Sequence, residues 1–136
     1  MRAKGAMNDA EQQARSQLDS ILELVAALRN AANDDEREAA EITIQEDPLS
    51  IQVREDWRAL GTQDTKATEF KILLATGGPA VRICGELNRH CEPENARVEF
   101  QNWFTPWHTL HGLTDAESEA VLEYSRQFYF AECVTN

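Results

Sequence analysis

An α+β fold is predicted by three features of the sequence: a long helical heptad near the start, a change to two-residue alternation in the middle, and a capped helix near the end. The expected architecture is an N-terminal helical hairpin, a four-stranded antiparallel sheet (a meander), and a C-terminal helix packed on the sheet. Residues 1–47 would form the hairpin or arm and residues 48–136 the α+β domain, together one cooperative unit.

Ala14, Leu18, Ile21, Val25, Leu28 and Ala32 recur at steps of four and three, the spacing of an a/d seam, with polar residues on most other positions. A helix over about 9–31 follows, begun by Asn8 with Glu11, and residues 1–7 are expected as a tail. Asn33 with Glu36 repeats the capping pattern and opens a second helix over about 34–46, closed before Pro48. Its Ala39, Ala40 and Ile42 make a small apolar cover. We therefore expect the first helix to pair with a second copy, with Leu18, Ile21, Val25 and Leu28 as the homodimer seam. The β-branched run Ile42-Thr43-Ile44 also leaves an extended conformation open there.

Leu49, Ile51 and Val53 alternate with polar residues and predict a first strand running on to Trp57. Phe70, Ile72 and Leu74 predict a second. Thr76-Gly77-Gly78-Pro79 is a turn signal and leads into Val81, Ile83, Gly85 and Leu87. A turn over 88–94 precedes a fourth strand with Ala96, Val98 and Phe100. Connections this short favour antiparallel neighbours. Thr114 with Glu117 is a capping box, and Val121, Leu122, Ser125, Phe128 and Tyr129 give the last helix its apolar face.

The 136 residues carry 13 Lys and Arg against 24 Asp and Glu, a net charge of −11. This balance speaks against direct nucleic-acid binding, which rests on cationic side chains, and against an anionic membrane surface. No apolar run reaches the roughly 20 residues of a membrane span, and no apolar stretch follows the charged start as in a secretory signal. Three cysteines at uneven spacing do not make a disulfide framework, so a reduced, cytoplasmic protein is expected.

Catalytic signals are weak. The glycine turn lacks the Lys-Ser/Thr of a phosphate loop, and no helix opens after it. Cys84, His90, Cys91, His108, His111 and Cys133 show no metal-ligand spacing, so no metal or cofactor is expected. Cys91 beside His90 is the only local nucleophile–base pair, and adjacent turn residues rarely share the needed hydrogen bond. The expectation is a non-enzymatic protein.

Binding signals are stronger. Residues 31–56 hold nine acids against two arginines, with Asp34, Asp35, Glu36, Glu38 and Glu41 forming the densest group. A solvated helix face is the plain explanation. The sharper one is mimicry of nucleic acid, since B-DNA carries one charge per ~1.7 Å of axis. Trp103-Phe104-Thr105-Pro106-Trp107 adds an aromatic cluster; most of it is expected in the core, with Trp103 or Trp107 available as a partner anchor.

A set of segments then carries a resemblance: Gln45-Glu46-Asp47-Pro48-Leu49-Ser50, Leu73 through Ile83, Gly85-Glu86-Leu87, Gln101-Asn102-Trp103, Thr105-Pro106-Trp107 and Gln127-Phe128-Tyr129-Phe130. Over Gln45–Glu132 the chain resembles an uncharacterised family of small acidic proteins of bacteriophages and bacterial mobile elements. It departs from that pattern at Asn102, where Asp is commoner, at Ala75, where Cys is commoner, and in a shortened acidic insert over Asn33–Gln45. The resemblance implies a mobile-element accessory protein in the bacterial host cytoplasm. With the acidic surface, it suggests an inhibitor that binds the basic surface of a host defence or nucleic-acid-processing complex, of anti-CRISPR or anti-restriction type. The alternative expectation is a structural or assembly module dimerising through its first helix.

Overall fold

The computed structural model describes residues 2–55, 57, 59–61, 67–103 and 105–130, with side chains from Asp9 onward. Phe104 and Cys133, named above, lie outside the described residues, as does Asp56, the last of the nine acids over 31–56. The chain order is α1 (Arg2–Arg29), α2 (Asp34–Gln45), β1 (Ser50–Glu55), β2 (Ala67–Ala75), β3 (Ala80–Glu86), β4 (Arg97–Gln101), β5 (His108–Thr109) and α3 (Asp115–Ser125). The fold is α+β with an antiparallel sheet, as the alternation predicts. The sheet has five strands in the order β1-β2-β3-β4-β5, not four. The extra strand is two residues long and pairs with Glu99 and Phe100; two residues are too few to show a period.

The N-terminal helix starts earlier than expected. Asn8 does not cap it, because Arg2–Met7 is helical, a segment of good helix formers interrupted only by Gly5. Helix α2 begins where its cap predicts: the Asn33 side chain accepts from the Glu36 backbone N–H. Ile42-Thr43-Ile44 stays helical, with Ile44 buried and the Thr43 hydroxyl bonded to the Ala39 carbonyl. Helix α3 carries the full Thr114–Glu117 capping box. It stops at Ser125, so Phe128 and Tyr129 lie beyond it rather than on its apolar face.

The helical cover is the main correction. Helix α1, rather than α3, lies across β3 and β4, with α2 and α3 packed against it. Its Ala14, Leu18, Ile21, Val25 and Leu28 are buried in one cluster with Phe70, Ile72, Val81, Ile83, Val98, Phe100 and Val121. Leu18, Ile21, Val25 and Leu28 are therefore core residues of one chain and are not available as a homodimer seam. The seam needed a cover larger than α2, and the sheet supplies it. A sheet face of five strands holds far more apolar area than the few alanines of a short helix.

Strand register sorts the two faces. Cross-strand partners share a face, so Ile72↔Ile83, Ile83↔Val98 and Val81↔Phe100 line the inner side under α1. The alternate set, Lys71↔Cys84, Cys84↔Arg97 and Arg82↔Glu99, lines the outer side, which no helix covers. Gly85 falls on the inner set opposite Phe70, where a Cβ would overlap the Asn95 carbonyl oxygen and come within 2.7 Å of the Phe70 ring. Only glycine fits between these groups. In the β2–β3 turn Gly77 has φ +95°, the left-handed region that favours glycine.

Candidate functional site: an acidic helical layer and a basic open sheet face

Charge is divided between the two layers. The three helices carry thirteen carboxylates and five basic residues, two of these in the first turn of α1, while the five strands carry four of each sign. On α2, Asp34, Glu38 and Glu41 fall at i, i+4 and i+7, a narrow stripe along one side of the helix. Asp34 and Glu38 are exposed and Glu41 half-buried. Among the described residues no cation pairs with any of the three. Asp35 is also exposed, one position round the helix.

Glu36 has a different task. Its carboxylate accepts from the Ala32 N–H at 3.1 Å and lies 3.4 Å from the Asn33 side-chain nitrogen. Together with Asp34 and Asp35 it stands in the first turn, where the helix dipole favours negative charge. On α3, Glu123 is paired with Arg29 of α1, while Asp115 and Glu119 are exposed.

On the open face of the sheet, the centre is Glu99 on β4. It is only 8% exposed. Arg82 Nε donates to its Oε1 at 2.7 Å, and Arg97 Nε to its Oε2 at 2.9 Å. The Cys84 thiol donates to Oε1 at 3.3 Å. Burial alone would raise the Glu99 carboxyl, but the hydrogen bonds from Arg82, Arg97 and Cys84 prevail and hold it below the usual carboxylate range. Burial, then the neighbouring Glu99 charge, pushes the Cys84 thiol up to about 11. Cys84 is thus a neutral thiol at physiological pH, which does not suit it to nucleophilic chemistry.

The guanidinium of Arg82 lies 3.8 Å over the ring of Trp107. A concavity of about 600 Å³ opens on this face, lined by Gln52, Arg54, Glu69, Lys71, Arg82, Cys84 and Arg97 among others. Arg54 is ion-paired with Glu69, and Glu86, one pair further along, is turned toward Asn95.

The site residues expected from sequence are not brought into one place. Trp107 lies on the outer face with Arg82, whereas α2 packs on α1. Trp103 is 59% exposed in the turn after β4. Cys91 is buried, with φ +61°, and its neighbour His90 is exposed. His108 stacks on Phe100, with ring centroids 5.8 Å apart. Among the described residues no group of three or more His, Cys, Asp or Glu side chains is arranged to hold a metal ion, and no helix is long and apolar enough to cross a membrane.

Sequence reasoning passed over Arg82, Arg97 and Glu99. The available signal was a set of charged residues at strand positions that share one face. Comparison with protein-family models, with curated proteins and with solved structures finds no match to this chain.

Proposed function

We propose that the chain is a non-enzymatic accessory protein, of phage or mobile-element type, that binds a basic surface on a host defence or nucleic-acid-processing complex through its acidic helices. The observation that carries this reading is the Asp34–Glu38–Glu41 stripe. Like charges at i, i+4, here Asp34 and Glu38, cost a helix ~0.2–0.5 kcal/mol per pair, and no ion pair among the described residues takes up any of the three carboxylates. The Glu38–Glu41 end of the stripe lies beyond the first turn that the dipole favours, and rows of carboxylates suit a surface built to hold phosphates. Trp103, exposed at the far end of β4, is a second contact of the kind that anchors interfaces.

The assembly alternative loses its surface, because the α1 seam is buried within one chain. The test is phage plating on hosts with an active CRISPR or restriction system, with and without the protein. Restored plating in one system is expected, and the double variant Glu38→Lys, Glu41→Lys should abolish it. Binding to the captured target should also weaken with salt, as the Debye length falls from ~10 Å at 0.1 M to ~3 Å at 1 M. Equal plating across several systems would remove the proposal.

A further inference from the structure

We propose that the open face of the sheet is a binding site for a phosphate monoester, taken by the terminal Nη groups of Arg82 and Arg97 with Lys71 beside them. Both arginines bond Glu99 through Nε. Their Nη atoms are the forked ends that match phosphate bidentately, and among the described residues no acidic side chain other than Glu99 pairs with either arginine. The Lys71 ammonium, exposed on the neighbouring strand, pairs with no acidic side chain among them. All three side chains line the same concavity.

The forks are held before any ligand arrives. Glu99 is buried between them, and the Trp107 ring lies 3.8 Å from the Arg82 guanidinium. Groups held in place lose less side-chain entropy on binding, which is where rigid sites gain affinity.

Charge matching selects the ligand. Around the concavity, from which Glu86 is turned away toward Asn95, Arg54 with Glu69 is neutral, and Arg82 with Arg97 over Glu99 leaves one positive charge. Lys71 adds a second. A surplus of two matches a phosphate monoester, whose second pKa of about 6 makes it a dianion at neutral pH. The same reckoning disfavours a polyanion, because a chain of net charge −11 repels a long row of phosphates beyond the two or three that the forks reach. About 600 Å³ is also the size of a small-molecule site.

The experiment is a backbone-amide NMR titration of the full chain near neutral pH and at constant ionic strength. The probes are adenosine 5′-monophosphate, inorganic phosphate, acetate and a short single-stranded oligonucleotide. Saturable shifts with the monophosphate are expected on β2, β3 and β4, with acetate giving none. Lys71→Gln, at an exposed position outside the Glu99 network, should weaken binding about tenfold, the loss of one charge-assisted contact, with the thermal midpoint unchanged; Arg97→Gln should weaken it as much and also lower the midpoint, because it leaves Glu99 Oε2 without its partner. Glu38→Lys, Glu41→Lys should leave binding intact, which separates this site from the acidic stripe. Four outcomes would overturn the proposal: no saturable shift with the monophosphate, binding indifferent to both variants, inorganic phosphate binding in preference to the ester, or the oligonucleotide binding more tightly than the monophosphate.

Discussion

Glu99 is the residue on which the outer face of the sheet depends. Two arginines and a thiol satisfy a carboxylate that would otherwise be costly to bury. Glu99→Gln should destabilise the fold by about 2–3 kcal/mol, because Arg82 and Arg97 are left facing each other without the charge between them. The folded carboxyl lies below its unfolded value, so its contribution is present above the unfolded pKa and is lost as pH falls through the folded one. Urea midpoints at neutral and acid pH should therefore converge between the wild-type chain and Glu99→Gln. Parallel pH profiles would show that the network contributes nothing. Cys84 runs the other way: its folded pKa of about 11 lies above the ordinary 9.0, so stability is lost as pH rises through that interval. Gly85→Ala is the sharpest steric test. Its Cβ would meet the Asn95 carbonyl and the Phe70 ring, and the strain should cost ~3 kcal/mol or more, read as a fall in urea midpoint.

Helix α2 shows two uses of acid within one element. Its first turn is set by the Asn33 cap and the Glu36 contacts, while the Glu38–Glu41 end of the stripe adds nothing to the helix. Reversing Glu38 and Glu41 to Lys should leave thermal stability within about half a kcal/mol, since the repulsion between Asp34 and position 38 becomes an attraction while positions 38 and 41 stay alike in charge and position 41 comes to repel Arg37. Circular-dichroism melting checks this, and a loss above ~1 kcal/mol would show that the stripe is structural. In the sheet, Ile83 is fully buried and Phe100 nearly so, both under α1. Truncating either to Ala should cost on the order of 2–5 kcal/mol in denaturant unfolding.

For the molecule as a whole, α1 joins the sheet, α2 and α3 into one core that crosses the junction at Asp47. Tyr124 of α3 reinforces the join, its hydroxyl donating to Asp47 Oδ2 at 2.6 Å; burial and that carboxylate push the phenol well above its ordinary value. Val25→Asp should accordingly unfold the chain, placing a charge at a site 1% exposed. A dimer seam would instead give a folded monomer. Circular dichroism with sedimentation distinguishes the two, and a folded, monomeric Val25→Asp would return the seam to the surface.

Local rules were enough for much of this protein. The caps at Asn33 and Thr114, the Gly77-Gly78 turn and the alternation of Phe70, Ile72 and Leu74 each act over a few residues, so their elements are legible in the chain. The acid count on α2 is equally plain. What covers the α1 seam is a different kind of fact, because a heptad states that one face is apolar and not whether a helix, a sheet or a second chain will bury it. The fifth strand exists only because β4 offers an edge to His108 and Thr109. The Arg82–Glu99–Arg97 cluster was equally hidden. Arg82 and Glu99 lie 17 positions apart and meet only when the β3–β4 register sets them opposite each other, with Cys84 and Arg97 forming the next pair. Sequence thus determined three helices, four of the five strands and where the charge lies. Tertiary pairing decided which apolar face is core and which charges converge, since burial and register are long-range properties that no local pattern encodes.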